Sequence, residues 1–151
     1  MAITSAICTS FKVELLEGDH DFNVGVDAFK CALMKAAASI TGTYGVATTN
    51  YSDVTGNSDE LAATGGYSTN GNTLTNIAPT SAGTTAYIDF ADTEWTSATF
   101  TANGCLIFND TASGDPSCCA IAFGGDKTVT SGTFTIEFPA ATAGNAIIGI
   151  A

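Results

Sequence analysis

The chain is short of charge, and above all of positive charge. Only 13% of its 151 residues are charged, and 15 acidic residues face 4 basic ones, all lysine. There is one histidine, one tryptophan and no arginine. Acid–base and nucleophilic chemistry draws mostly on His, Lys, Cys and paired carboxylates. That inventory points away from an enzyme and toward a structural or binding protein. Lys12, Lys30, Lys35 and Lys127 are too few and too scattered to neutralise phosphates. This argues against nucleic acid as a partner, and equally against an anionic membrane surface. No apolar run reaches the ~18 residues a membrane helix needs. The opening MAITSAICTS lacks the basic region of a secretory signal. A net charge of −11 fits either simple solubility or docking on a basic surface.

Paired cysteine spacing is missing too. Cys8, Cys31, Cys105, Cys118 and Cys119 are odd in number and irregularly placed, so they read as reduced, mostly buried thiols. Cys118 and Cys119 do not make a C-x2-C zinc pair, and neighbours on a strand point to opposite faces.

What the chain has is Thr, Ser, Gly and Ala, with short apolar runs between them. Hydrophobic residues make up 45%, enough for a packed core, and the length suits one domain over 1–151. Ile3, Ile7, Phe11 and Leu15 recur every four residues, with Cys8 and Leu16 on the same face. This predicts an N-terminal helix capped by Thr4 or Ser5 and stopped by Gly18. Phe29, Cys31 and Leu33 alternate with Lys30 and Ala32, as in a half-buried strand. Residues 41–72 are polar and Gly-rich, which suits a binding loop or an excursion onto a neighbour. The alternative there is a short helix at Ser58–Ala63. Strands follow at 73–77 (ending before Pro79), 84–90, 95–100, 104–108, 118–123, 128–138 and 146–150. Phe134, Ile136 and Phe138 share one face of the last long one. Such alternation predicts a mainly β fold, an antiparallel β-sandwich of jelly-roll type closed at one side by the N-terminal α-helix.

Candidate chemistry is thin. His20 between Asp19 and Asp21 looks like a cluster, but adjacent side chains diverge and no second His completes a site, so a solvated turn is expected. Asp53, Asn57, Asp59 and Glu60 are the densest oxygen ligands, but the EF-hand order is absent. Neither a G-x-S-x-G elbow nor a P-loop occurs. No catalytic residue, metal or cofactor is expected. Tyr44, Tyr51 and Tyr67 are the candidate partner-binding residues, expected on the exposed 41–72 segment. As exposed aromatics they would also suit the platform of a carbohydrate-binding module, and equally each reads as a loop anchor packed on the sandwich.

The segments GYSTNGNTLTN (66–76), TTAYIDFADTEWTSATFTANGCLIFND (84–110), FGGDKTVTSGTFTIEFP (123–139) and AIIGIA (146–151) carry a resemblance, together with the opening AITSAICTSFKVELLEGDHDF (2–22). The chain resembles small structural proteins encoded among the capsid and tail genes of tailed bacteriophages. Within that group it looks most like the capsid decoration, or cement, proteins. The resemblance implies a compact β-sandwich made in the host cytoplasm and carried on the virion surface. Its expected partners are the major capsid protein and further copies of itself, in a trimer at a symmetric capsid position. Minor tail and head-fibre proteins are the alternative within the same group.

Overall fold

The computed structural model, described for residues 2–151, is mainly β, with antiparallel sheets in a β-sandwich-like arrangement and a short N-terminal helix. In chain order the elements are β1 (Ala6–Ile7), α1 (Thr9–Glu17), β2 (Phe29–Met34), α2 (Ser52–Gly56), β3 (Asn72–Thr73), β4 (Asn76–Ala82), β5 (Thr85–Phe90), β6 (Thr93–Asn109), β7 (Ser117–Ile136) and β8 (Ile148–Ile150). The larger sheet runs β1-β7-β6-β2-β3 and the smaller runs β4-β5-β8.

The helix starts later than its four-residue spacing suggests. Ile3 forms a bridge to Tyr44, and Ala6–Ile7 pair with Cys119 and Ala120 of β7. The β-branched residues at 3, 4 and 7 suit an extended chain, so the shared spacing of Ile3 and Ile7 belongs to strand as much as to helix. Cys8, not Thr4 or Ser5, is the N-cap. The other end is as expected: Gly18 takes the left-handed conformation (φ 85°) and its N–H bonds the Glu14 carbonyl. Phe11 is buried, whereas Leu16, expected beside it, is 90% exposed.

Several short strands are fused into two long ones. Residues 95–100 and 104–108 belong to β6, and 118–123 and 128–136 belong to β7. Register shifts around Gly104 and Gly124–Gly125 bend this hairpin without breaking it, as β-bulges do. One such shift lies at the hairpin turn, where Ile107 faces Cys119 but Phe108 faces Ser117. Cys118 is the extra residue there, so Cys118 and Cys119 enter the same core rather than opposite faces. β4 runs through Pro79, beyond the boundary expected before it. Proline is tolerated because β4 is an edge strand whose register shifts between Ile77 and Thr80.

The centre of the large sheet is apolar on both faces. Phe29, Cys31, Leu33, Cys105 and Ile107 look into one core, shared with α1 and the small sheet through Phe11, Ile88, Phe90 and Ile148. Ala32, Met34, Leu106, Phe108 and Ala120 look into a second core on the opposite side. That second face is covered by the 41–72 segment, through Tyr44, Val54 and Tyr51, together with Ile40. Its helix is α2, upstream of the Ser58–Ala63 alternative. Asp53 fixes the start by accepting the Thr49 N–H (2.7 Å), and the Asn57 amide closes the end on the Asp53 carbonyl (2.9 Å). Backbone bonds tie the segment down on several sides: Thr4 N–H to Tyr44 O (2.8 Å), Ser117 N–H to Thr49 O (3.0 Å) and Leu61 N–H to Leu33 O (2.9 Å).

Candidate functional site

The three tyrosines are internal anchors, which corrects their expected exposure. Tyr44 is 1% exposed and Tyr67 3%, while Tyr51 is half-buried with its ring stacked on Phe108 at 4.4 Å. Their hydroxyls converge on two consecutive acids. Tyr44 donates to Asp59 (2.6 Å), and Tyr51 and Tyr67 donate to the two oxygens of Glu60 (2.6 and 2.8 Å). Burial raises all three phenols above their ordinary pKa, and their carboxylate acceptors raise them further, so they remain neutral donors. Tyr67 reaches this position through Gly65, at φ 59°, where a side chain would collide with the Thr99 carbonyl.

Asp59 is completely buried. A bare carboxylate there would cost several kcal/mol. Four donors offset that cost: the N–H groups of Thr41 (2.9 Å) and Gly42 (2.7 Å), the Thr41 hydroxyl (3.2 Å) and the Tyr44 hydroxyl. Burial pushes this carboxyl upward, but the hydrogen bonds prevail and hold it below the usual range. Asp53, Asn57, Asp59 and Glu60 therefore each hold a different part of the covering segment instead of facing one cation. Among the described residues no three His, Cys, Asp or Glu side chains are grouped as a metal site.

His20 also departs from its expected solvated turn. Its ring is buried against Phe11 (centroids 4.8 Å) and bridges two elements. Nε2 lies 3.0 Å from the Glu14 carboxylate of α1, and Nδ1 lies 3.1 Å from Asn109 Nδ2 at the end of β6. Asn109 Oδ1 accepts the N–H groups of Thr111 and Ala112, so its amide nitrogen is the atom facing the ring. Nδ1 is then an acceptor and Nε2–H the donor to Glu14. This node welds the 18–23 turn to the hairpin turn, and both ring nitrogens are occupied by it.

All five cysteines are free and buried. Burial raises Cys8, Cys118 and Cys119, and the hydrogen bond with Cys31 followed by burial raises Cys105, so these thiols stay protonated core residues. Asp89 is the unusual acid. It is 1% exposed, one oxygen accepts the Phe90 N–H (2.8 Å), and the other has no partner. Burial raises its pKa, and Asp92 adds to the rise against the backbone hydrogen bonds.

Open apolar surface lies elsewhere. A cleft of about 280 Å³ separates α1 from the small sheet, between Phe11, Leu15, Phe22, Ile88 and Ile148. A groove of about 410 Å³ runs along the far part of β7, floored by Ile121, Phe123, Phe134 and Ile136 and flanked by Lys127 and Glu137. The alternation of Phe134, Ile136 and Phe138 marks these side chains as an apolar face. That the groove beside them stays open depends on which strands fail to reach it, a long-range property with no local signal. Comparison of the chain with protein families, with curated proteins and with solved structures finds no match.

Proposed function

We propose that this chain is a non-enzymatic structural protein of a phage virion, a decoration or cement subunit that docks on the assembled capsid shell and strengthens it. The observation that carries this reading is how the chain spends its functional groups. The carboxylates of Asp59 and Glu60, the three tyrosines and the single histidine are bonded to one another or to backbone, where they fasten a covering segment and two turns to the sheet. The surface left over is acidic, with a net charge of −11, and bears apolar grooves. Such a surface suits a basic protein partner, here the major capsid protein, met in many copies so that weak contacts add up. The resemblance of residues 2–22, 66–76, 84–110, 123–139 and 146–151 to phage structural proteins supports the same reading. The carbohydrate alternative loses its platform, because Tyr44 and Tyr67 face inward.

The test is direct. Purified protein added to shells that lack it binds them and raises their resistance to heat or osmotic shock. Binding to tail tubes or head fibres with no effect on shells transfers the chain to that alternative role, and binding to glycans alone ends the structural reading.

A further inference from the structure

From the far half of β7 we infer a self-association surface: two copies of this chain pack groove to groove, with Lys127 of each against Glu137 of the other. The inference goes beyond shell binding, does not depend on it, and sets a two-fold pair in place of the trimer that the resemblance implies. Three features lead to it. The first is an open edge. β7 has β6 on one side, but its other neighbour, β1, covers only Cys119 and Ala120. From Phe123 to Ile136 no strand lies outside it among the described residues. An edge of this length is a template for another chain unless something blunts it.

The second feature is the form of the blunting. Gly124, Gly125 and Ser131 all have positive φ (71°, 136° and 49°). They sit where the register with β6 shifts, so the strand bends and offers no long straight ladder to a newcomer. What remains is the groove of about 410 Å³, with Phe123 and Phe134 rings 5.9 Å apart on its floor beside Ile121 and Ile136. All four side chains are only half-buried within one copy. Packing against an equivalent floor removes them from water without requiring a continuous sheet.

The third feature is charge, and it selects the occupant. The chain has 4 lysines for 15 acids, yet among the described residues neither Lys127 nor Glu137 makes an ion pair. Both flank the same groove. A two-fold axis through the groove sets each ammonium against the other copy's carboxylate, twice per interface, as an isologous contact requires. Opposite charges placed this way fix orientation and disfavour other registers.

Sedimentation velocity over a concentration series, on the wild type, Lys127→Glu, Glu137→Lys and the double exchange, tests the assignment. Both exchanged positions are exposed, and circular dichroism checks that each variant is folded. The wild type is expected to form dimers. Each single exchange sets like charges together at both ends and weakens the dimer about tenfold or more, equivalent to ~1.4 kcal/mol. The double exchange restores it. General repulsion between acidic chains makes the opposite forecast for Glu137→Lys, which lowers the net negative charge and would then strengthen association. A wild type that stays monomeric to millimolar concentration, a trimer, or a dimer indifferent to both single exchanges overturns the proposal. None of those results bears on shell binding, which is measured separately.

Discussion

In the half of the β6–β7 hairpin nearest its turn, Leu106, Ile107 and Phe108 are wholly buried, and every side chain from either face meets a neighbour of its own chain. In the far half, Phe123, Phe134 and Ile136 keep one flank in solvent. The two halves are built on the same strand pair, but the near half is almost wholly apolar, whereas the far half sets Thr, Ser, Gly and charged residues between its apolar ones. They differ in what the rest of the chain lays against them. Near the turn, the first face is closed by α1 and the small sheet, and the second by the polar segment pinned through Asp59 and Glu60. At the far end no excursion among the described residues closes the groove. A segment that looks like a free binding loop thus completes the interior, and a strand that looks like ordinary sheet carries the open surface.

The largest effect expected from this contrast is on stability. Phe108→Ala removes a fully buried ring stacked on Tyr51 and should cost ~3–5 kcal/mol in urea unfolding. Phe134→Ala, the same change on the far half, should cost less than half as much. Equal costs would mean that the far half is as closed as the near one.

Next in size is the covering segment. Tyr44→Phe leaves the buried Asp59 one donor short and should cost ~1–3 kcal/mol. Asp59 also sets a pH dependence. Its folded pKa lies below the unfolded one, so its stabilisation is complete above the unfolded carboxyl value and lost as pH falls through the folded one. Tyr44→Phe should therefore flatten the acid limb of a stability–pH curve measured by thermal unfolding. An unchanged limb would detach Asp59 from the cover.

Asp89 in the small sheet gives a smaller change of opposite sign. Its folded pKa is raised, so its contribution is present below the unfolded value and lost as pH rises through the folded one. Asp89→Asn should raise the unfolding midpoint at neutral pH and leave it nearly unchanged in acid. A lower midpoint at neutral pH would show that the charged form is what the small sheet needs. Smallest of all is Leu16→Asp, at a position 90% exposed, which should shift stability by no more than ~0.5 kcal/mol. A larger loss would place α1 in contact with something further.

How much of this was legible in the sequence depends on how local each feature is. Gly18 marked the end of α1, and the alternation at 29–33 and 84–90 marked β2 and β5, because those signals lie within a few residues. Where both sides of a strand are buried, alternation vanishes, as in the run Cys105–Phe108, so the sequence marks a strand there without saying which side chains face which core. The second core needed Tyr44 and Val54 to meet Phe108, more than fifty positions further along the chain, and composition made the segment of the first two look solvent-loving. Its polar residues are polar for an internal reason, since a connection folded over an apolar face must bond its own backbone. His20 differs from its expected solvated turn for the same cause: its partners Glu14 and Asn109 are assembled by the fold, and only Glu14 is near in sequence. The bulge at Cys118 put two adjacent thiols in one core, which strict alternation forbids.

Amide hydrogen exchange at low and high protein concentration tests most directly whether the near half is interior and the far half is surface. Amides of residues 41–60 that bond within the chain, such as Tyr44, should exchange slowly at both concentrations. Amides of 123–137 that point away from β6 should be weakly protected in the dilute protein, and their protection should grow with concentration. Fast exchange at Tyr44 and its neighbours, or concentration-dependent protection found there and not along β7, would contradict the account.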